Sequence, residues 1–292
     1  MKKSFFPIIL FFLALTSFPA YAQELLKIDY PIRVVTYNIR FDNPADGPNV
    51  WANRKEKVAN LLRFYQADIF CLQEALFNQI EDLEQELPEF DYYGVGRDDG
   101  KQGGESCPVF YNKSRFKVIE NGTFWLSETP EKAGSIAWYA TLPRLTTWIK
   151  FRDLSSGKDF FVFNTHLDHS SQTARDNGSR LIKDKINQLC GDLPVILTGD
   201  FNDRPGTKPY NNIISNDGKV ALFDAKIKTK YPHQGSTFTF VGWDFIGIPG
   251  NTIDYIFVNS KVDVTFHANL GVNYDGIYPS DHIPVFIQAT LK

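Results

Sequence analysis

Short apolar runs alternate with amphipathic segments along the chain, and this alternation predicts an α/β protein. Residues 33–37 and 68–72 have the composition of strands, and residues 51–65 between them have the apolar spacing of a helix. The same pattern predicts a helix at 173–189 and further strands at 107–111, 144–152, 160–165, 195–198, 253–258 and 284–290. Many strands and few helices favour two packed sheets with helices on the outside.

The first 22 residues have the order of a secretory signal peptide. Lys2 and Lys3 are followed by an apolar run over 5–18, and the small residues Ala20 and Ala22 end the segment. A membrane anchor is the alternative, but this run is shorter than the roughly 20 residues that a spanning helix needs. We therefore expect cleavage after Ala22, export to the periplasm or the medium, and no stable membrane anchor after cleavage.

The rest of the chain has the composition of a globular protein, since 43% of all residues are hydrophobic and 22% are charged. No repeat, low-complexity stretch or linker interrupts residues 23–292, so a single domain is predicted, and we expect a monomer. Loss of Lys2 and Lys3 with the signal changes the formal charge from −3 to −5. A mildly acidic chain without a basic cluster is poorly suited to non-specific binding of duplex nucleic acid.

The three cysteines, Cys71, Cys107 and Cys190, are odd in number and widely spaced. This pattern is neither a disulfide framework nor a zinc motif. One disulfide would suit an exported protein, but the spacing does not choose a pair. Cys71 lies in an apolar run and is expected in the core, and no cysteine stands in a motif that would activate a thiol.

Polar residues end several of the apolar runs, namely Asn38, Glu74, His166, Asp200 and Asn202. Loops at the ends of rigid strands are where functional sites are commonly assembled. The alternation of an extended chain points the side chains of Asp200 and Asn202 to the same side. An ordinary turn is the alternative there, because Gly, Asp and Asn are also turn formers.

Further acidic residues and a histidine extend this set. Asp254 lies inside an apolar strand and needs a partner such as a histidine, because burial of an unpaired carboxylate is costly. Asp281 and His282 are adjacent before the last strand, where a carboxylate can hold a metal and a histidine can move protons near neutral pH. Glu105 precedes another strand and either orients a histidine or is an exposed loop acid.

The donor atoms indicate the kind of metal. His166, Asp168 and His169 leave one strand together and would suit zinc. The remaining candidates supply mainly carboxylate and amide oxygens, which suit Mg²⁺ or Mn²⁺ better. We therefore expect Mg²⁺ or Mn²⁺ as the cofactor, with Asp168 either in the site or in its scaffold.

Six motifs resemble the endonuclease/exonuclease/phosphatase superfamily in order and approximate spacing, over nearly the whole chain after the signal. They are Tyr37-Asn38, Leu72-Gln73-Glu74, Asn164-Thr165-His166-Leu167-Asp168, Gly199-Asp200-Phe201-Asn202, Ile253-Asp254-Tyr255 and Ser280-Asp281-His282. The resemblance implies a four-layered α-β-β-α sandwich of two mainly antiparallel sheets with outer helices. It also implies metal-assisted hydrolysis of a phosphate ester by an activated water.

The resemblance assigns roles to matching positions. It places Asn38, Glu74 and Asp281 around the divalent ion. Asp200 matches the residue that positions or deprotonates the attacking water. Asn202, beside it, matches a residue that binds the phosphate.

Two histidines face the phosphate in the proteins that this chain resembles, where an imidazolium can stabilise charge that develops in the transition state. Asp254 matches the acid that orients His282, and Glu105 is expected to orient the other histidine. The further phosphate contacts expected from the resemblance are His166, Tyr111 and Arg144.

The sequence indicates the type of reaction more clearly than it indicates the substrate. Within the superfamily, the chain resembles a bacterial and fungal branch at residues 124–127, Trp138 and 143–144, and the substrates of that branch are mostly unassigned. The chain departs from the branch at 139–141. This stretch therefore supports no inference about the substrate. The aromatic stretch 236–245 can form a wall for a base, a sugar or another small ligand, can belong to the core, or can enter a membrane.

We expect a phosphate mono- or diester of modest size as the substrate. The alternatives are an extracellular nuclease acting on nucleic acid, a sphingomyelinase-like phosphodiesterase and an exported binding module without turnover. Steep salt dependence would favour the nuclease, because a polymer binder must release counterions. Turnover on vesicles would favour the phosphodiesterase.

Overall fold

The computed structural model describes residues 30–244 and 247–292. The predicted signal peptide at 1–22 lies outside these residues. Within the described ranges, no helix is both long enough and apolar enough to cross a membrane. Residues Pro31–Lys292 make up one compact unit.

Twelve strands occur in the described part of the chain. In chain order they are β1 (Ile32–Asn38), β2 (Ile69–Gln73), β3 (Phe90–Tyr93), β4 (Val109–Asn112), β5 (Phe116–Trp125), β6 (Leu145–Asp153), β7 (Asp159–His166), β8 (Val195–Asp200), β9 (Leu222–Asp224), β10 (Asp254–Asn259), β11 (Val262–Asn269) and β12 (Val285–Leu291). The α-helices are α1 (Lys55–Phe64), α2 (Phe77–Glu86), α3 (Gln172–Leu189), α4 (Lys208–Ile214) and α5 (Ala225–Lys228). Short 3₁₀ helices at Pro44–Asn49 and Trp51–Asn53 precede α1.

The strands form two six-stranded sheets that share one pattern of pairing. The first sheet has the order β11-β12-β1-β2-β4-β3, and the second has the order β5-β6-β7-β8-β10-β9. The central pair of each sheet, β1 with β2 and β7 with β8, is parallel, and the other neighbours are antiparallel. The prediction of two mainly antiparallel sheets is confirmed.

Alternation of side chains along the strands gives each sheet two buried faces. Val34 and Val162 belong to the core between the sheets. Their neighbours along the strands point to the opposite faces. Val35 packs in the core between the first sheet and helices α1 and α2. Phe163 packs in the core between the second sheet and helices α3 and α4. These contacts produce the four α-β-β-α layers that the resemblance implies.

The eight strands predicted from sequence are all present, with ends shifted by at most two residues. The four strands that escaped prediction, β3, β5, β9 and β11, are the edge strands of the two sheets. An edge strand has fewer buried neighbours than a central one, so its apolar pattern is weaker. The predicted helix at 51–65 begins as a 3₁₀ turn and continues as α1.

Strand direction brings the polar strand ends to one edge of the molecule. Because β1 and β2 are parallel, Asn38 at the end of β1 and Glu74 just after β2 leave the sheet on the same side. The parallel pair β7 and β8 does the same for His166 and Asp200. Strand β10 runs antiparallel to β8 and places Asp254 opposite Asp200.

The last strand adds two more candidates to this edge. β12 is antiparallel to β1, and its first residue, Val285, lies opposite Thr36. The segment just before β12 therefore runs beside the end of β1. Asp281 and His282 belong to that segment.

Two buried amides join the sheets beneath the same edge. Gln73 Nε2 donates to Asn164 Oδ1 at 2.6 Å, and Asn164 Nδ2 donates to the carbonyl oxygens of Leu72 at 2.8 Å and Pro108 at 3.0 Å. A buried amide is costly unless its hydrogen bonds are made. This network therefore links β2 and β7, one from each sheet, in a defined register.

Candidate active site

A cavity of about 720 Å³ opens at the edge where the polar strand ends meet. Residues from both sheets line it. The predicted site residues in its wall are Glu74, Glu105, Arg144, His166, Asp200, Asn202, Asp281 and His282. Asn38 and Asp254 are buried and bond directly to residues of the wall.

Asn38 connects the two sheets within the site. Its Nδ2 donates to Glu74 Oε1 and to Asp200 Oδ2, both at 3.0 Å, while its Oδ1 accepts the backbone N–H of Arg40. With both ends of the amide engaged, Asn38 holds two carboxylates in place. The role at the metal ion that the resemblance implies stays a prediction, since the amide oxygen here faces a backbone N–H.

Glu74 and Asp281 are suited to hold a divalent cation. Burial raises the pKa of Asp281, and the nearby charge of Glu74 raises it further. Glu74 adopts a left-handed backbone conformation, with φ of 59°, and its Oε2 accepts the N–H of Phe41 at 3.2 Å. Two carboxylates that repel each other at one cavity wall match the oxygen donors preferred by Mg²⁺, and a cation there would offset the repulsion.

His282 and Asp254 form a buried ion pair. The ring N–H at Nδ1 of His282 faces Asp254 Oδ2 at 3.0 Å and Oδ1 at 3.2 Å. Burial alone would lower the pKa of His282, but the charge and hydrogen bond of Asp254 outweigh it and raise this pKa to about 10. With that pKa, His282 is an imidazolium at neutral pH.

Asp200 lies between the two histidines. Its Oδ2 is 3.5 Å from His166 Nε2 and 3.8 Å from His282 Nε2. Burial, followed by the charge of Asp254, raises the pKa of Asp200 to about 7. A carboxylate with that pKa can accept a proton from water near neutral pH. The preceding Gly199 is required by close packing, because a Cβ there would lie 2.3 Å from the carbonyl oxygen of Thr165.

Asn202 reaches the cavity through a turn. The strand ends at Asp200, and Asn202 adopts a left-handed conformation with φ of 50°, so the expected alternation does not explain its direction. Asn202 Nδ2 donates to His166 Nε2 at 3.0 Å and to the carbonyl oxygen of Leu167 at 3.1 Å. His166 Nε2 is therefore an acceptor, and its proton is on Nδ1.

His166 differs in charge from His282. Burial, and then the charges of Arg144 and Arg97, hold the pKa of His166 well below its usual range, so this imidazole is neutral. Glu105 Oε2 is 3.9 Å from His166 Nδ1, which is longer than a hydrogen bond. The first partner of Glu105 is Arg97, whose Nη1 donates to the same oxygen at 2.6 Å.

Asp200, Asp254 and His282 also bring possible ligand atoms within 4.8 Å of one another. A cation among them would compete with the hydrogen bond between Asp254 and His282, which already uses Nδ1 and both carboxylate oxygens. We therefore assign these three residues to proton handling. Glu74 and Asp281, which have no histidine partner of this kind, remain the better cation ligands.

Tyr111 is the predicted site residue that requires correction. It lies in the core between the sheets, packed at 5.0 Å against the ring of Phe151, and its hydroxyl faces Asp91 Oδ2 at 3.3 Å. Because β2 and β4 are antiparallel, Tyr111 pairs with Ile69 at the end of β2 far from Glu74. The expected phosphate contact by Tyr111 is therefore wrong.

Several residues of the site had no clear sequence signal. Arg40 and Arg97 line the cavity but stand in no motif. Arg54 is buried, and its Nη1 donates to the carbonyl oxygens of Ile39 at 2.7 Å and Pro279 at 2.8 Å. It thereby holds the exit of β1 beside the segment that carries Asp281 and His282. An arginine in the first turns of a helix gives no sequence clue to such a contact.

The aromatic stretch contributes one wall of the cavity. Phe240 lines it together with Phe41 and Leu142, and the ring of Phe240 lies 5.1 Å from that of His282. The part of the 236–245 prediction that falls on Phe245 lies outside the described residues. The cysteines take no part, because Cys71, Cys107 and Cys190 are buried, unpaired thiols, and burial raises the pKa of Cys71 to about 12.

Comparison with known proteins agrees with the fold. The model of the Endonuclease/Exonuclease/phosphatase family matches residues 35–282. An endonuclease/exonuclease/phosphatase of Bacteroides vulgatus is similar in structure, with a TM-score of 0.85 and 38% sequence identity, over 90% of this chain and 100% of that one.

Two further proteins are similar to this chain. A mannosyl-6-phosphatase of Bacteroides thetaiotaomicron has a TM-score of 0.84 and 34% identity, over 89% of this chain and 100% of that one. Nocturnin of Rattus norvegicus is 25% identical over 287 residues, which cover 87% of this chain and 64% of the relative. The chain thus spans less than two thirds of the length of nocturnin.

Proposed function

The chain belongs to the endonuclease/exonuclease/phosphatase family, and from this premise we propose that it is an exported, divalent-metal-dependent phosphoesterase. Family members hydrolyse phosphoester bonds. The observation that carries the proposal is the convergence of Asp200, His166 and His282 with the carboxylate pair Glu74 and Asp281 at one cavity. This combination suits hydrolysis of a phosphate ester, which needs a base for water and positive charge for the phosphoryl oxygens.

Each of the residues at the cavity has its own role in the proposed reaction. Asp200, held by Asn38, takes a proton from the water that attacks phosphorus. The ester P–O bond breaks with its electron pair on the leaving oxygen, which takes a proton from solvent and departs as the alcohol. The His282 imidazolium, fixed by Asp254, stabilises the charge on the phosphoryl oxygens. Neutral His166, oriented by Asn202, completes the wall around the phosphate.

Glu74 and Asp281 would hold Mg²⁺ or Mn²⁺ in this proposal. When bound, the ion polarises the phosphoryl group and stabilises the leaving oxygen. The two carboxylates alone would repel the anionic substrate. Their neutralisation is therefore also needed for binding.

A sugar phosphate or another small phosphoester is the substrate class that we favour. One relative at 34% identity is a mannosyl-6-phosphatase, and the chain matches that protein over its whole length. The cavity of about 720 Å³ has apolar wall residues, Phe41, Leu142 and Phe240, against which the carbon skeleton of such a ligand can pack.

Release of product by the purified protein, with Mg²⁺ or Mn²⁺, tests the proposal on sugar phosphates, nucleotides, inositol phosphates, RNA, DNA and sphingomyelin. We expect metal-dependent turnover that is abolished in D200N. Asp192 is exposed and pairs with Lys261, so D192N serves as the matched control and should keep full activity. Turnover by D200N at the wild-type rate, or no turnover on any substrate, would refute the proposal.

A nuclease is the second candidate, because a 3'-5'-exoribonuclease subunit of the CCR4-Not complex of Aspergillus niger is among the relatives, at 23% identity over 83% of this chain and 48% of that protein. The dependence of the reaction rate on salt concentration distinguishes the nuclease from the enzyme for small phosphoesters. Cleavage of a polymer should fall steeply as salt concentration rises, since bound counterions are released on binding, whereas hydrolysis of a small ester should change little.

Export is a part of the proposal that rests on the first 22 residues. The full chain expressed in a bacterium should appear in the periplasm or the medium with Gln23 as its first residue. Mass spectrometry of the N-terminal peptide measures this. A cytoplasmic protein that keeps Met1 would contradict export while leaving the proposed chemistry intact.

A further inference from the structure

Arg40 lies in the cavity wall, and contacts on its backbone fix the place from which its side chain starts. The backbone is left-handed, with φ of 56°, and the N–H of Arg40 donates to Asn38 Oδ1 at 3.0 Å. The carbonyl oxygen of Arg40 accepts Gln79 Nε2 at 3.0 Å and Arg54 Nη2 at 3.2 Å. A left-handed backbone is costly for a residue other than glycine, so these contacts are what hold Arg40 in this conformation.

The guanidinium of Arg40 is held by a carboxylate on one side. Nε and Nη2 donate to the two oxygens of Asp46, both at 3.0 Å. The guanidinium carbon also lies 4.4 Å from the centre of the Phe41 ring. A bidentate pair fixes both the position and the plane of a guanidinium. Because Nε and Nη2 form one edge of this planar group, its third nitrogen, Nη1, points away from Asp46.

Nη1 faces the carboxylates that the proposed function assigns to the cation. It lies 3.9 Å from Glu74 Oε2, which is longer than a hydrogen bond. Arg40, Glu74 and Asp281 line the cavity together. Burial raises the pKa of Asp281, and the positive charges of His282 and Arg40 act against that rise. The charge of Arg40 therefore acts on both of the carboxylates.

A fixed positive charge in this place has opposite effects on the two charged ligands of the site. It repels a divalent cation bound by Glu74 and Asp281, and it attracts the phosphate anion. Asp46 offsets the charge of Arg40 only in part, because it lies on the far side of the guanidinium and is not among the residues that line the cavity.

We propose that Arg40 lowers the affinity of the site for the divalent cation and raises its affinity for the phosphate group. This inference rests on the proposed function, because it takes Glu74 and Asp281 as the cation ligands. Arg40 acts through its charge, without touching the reacting atoms, and is therefore a positioning residue. The free enzyme then exchanges its cation with solvent instead of holding it permanently.

Binding of Mn²⁺ to the purified protein, measured by electron paramagnetic resonance, gives the cation affinity without any turnover. We expect R40Q to bind Mn²⁺ about tenfold or more tightly than the wild type, because the repelling charge is gone. The Ki of inorganic phosphate, measured at saturating Mn²⁺, should rise about threefold or more in R40Q. A loop that merely lost its structure would bind both ligands more weakly, so changes in opposite directions identify an effect of charge.

Three further variants separate the charge of Arg40 from its other contacts. R40Q alone leaves the nearly buried Asp46 unpaired, and that carboxylate would itself attract a cation. R40Q/D46N removes both charges and should still bind Mn²⁺ more tightly than the wild type. R40K should be intermediate, because lysine keeps the charge but not the planar fork. Arg152 is exposed on the second sheet and pairs with Asp159, so R152Q is the matched control and should behave as wild type.

Two sets of results would contradict the inference in different ways. Equal Mn²⁺ affinity in the wild type, R40Q and R40Q/D46N, or weaker binding of both ligands in the variants, would overturn the role of Arg40 while the phosphoesterase function stands. A wild type that binds no Mn²⁺ would remove the metal from the proposed function and the role of Arg40 with it.

Discussion

Asp254 is buried, and both of its carboxylate oxygens face Nδ1 of His282. Two consequences follow at the residue scale. The histidine keeps its positive charge in a buried site, and its ring is held with Nε2 toward Asp200. Neither could be stated from the apolar strand that contains Asp254, although that strand indicated the need for a partner.

Replacement of Asp254 by Asn should lower kcat by at least about 100-fold with little change in KM, because an amide neither holds the imidazolium charge nor fixes its proton. Steady-state kinetics measures kcat and KM separately. Asp263 is exposed on β11, so D263N is the control. A D254N enzyme within threefold of the wild type would show that His282 needs no carboxylate.

Replacement of Glu74 by Gln should raise the Mg²⁺ concentration needed for half-maximal activity by about tenfold or more, since a neutral amide is a weaker ligand for a hard cation than a carboxylate. Titration of activity with Mg²⁺ measures the change. The exposed Glu120 provides the control variant E120Q. Identical titrations of E74Q and wild type would remove Glu74 from the metal site.

At the scale of elements, the two sheets are joined by a polar network as well as by apolar packing. Gln73 and Asn164 belong to motifs that the resemblance placed near the chemistry, but neither lines the cavity. Their amides instead bond β2 to β7 below it. A motif can therefore mark a residue that positions a site without touching the substrate.

Replacement of Asn164 by Leu should lower the free energy of unfolding by about 3 kcal/mol, because the Gln73 amide and the carbonyl oxygens of Leu72 and Pro108 lose their partner in a buried place. Urea denaturation measures this. Asn78 is exposed on α2, and N78L should stay within about 0.5 kcal/mol of the wild type. Equal stability of N164L and N78L would mean that apolar packing alone joins the sheets.

The same scale explains which elements were predictable. The eight central strands carry apolar runs because both of their faces are covered, by the other sheet and by helices. The four edge strands have an open side, and their sequences mix polar and apolar residues, as in the exposed and half-exposed positions of β5. The alternation along the chain therefore predicted the centre of each sheet and missed its borders.

At the scale of the whole molecule, the buried His267 pairs with the half-buried His233 away from the site. His267 Nδ1 lies 2.9 Å from His233 Nδ1, and His233 Nε2 donates to the carbonyl oxygen of Ser236 at 2.9 Å. Burial, then the charges of His233 and Lys226, lowers the pKa of His267 from 6.5 to about 3. The folded protein therefore keeps His267 neutral under conditions in which the unfolded chain would protonate it.

The stability of the whole molecule should consequently fall in acid. The contribution of neutral His267 is complete above the unfolded pKa of about 6.5 and is lost as pH falls from there toward 3, at up to about 1.4 kcal/mol per pH unit. Urea denaturation between pH 7.5 and 4.5 measures the slope. H267Q, which cannot take up this proton, should show a shallower slope, and an unchanged slope would contradict a buried neutral His267.

The sequence by itself determined the eight central strands, the family resemblance and eight of the residues that line the cavity. It could do so because burial imposes a period on each strand and because the chemistry requires particular side chains at strand ends. Asp200, His166, His282, Glu74 and Asp281 were all identified in this way.

Only the tertiary structure decided which partner each residue meets. The bond from Asn38 to Asp200 spans 162 positions of the chain, and its existence depends on how two sheets are stacked. Tyr111 was placed wrongly because strand direction decides which end of β4 lies at the site. The contact between Arg144 and His169 likewise joins segments that are separated along the chain, and no local pattern of residues encodes such a contact.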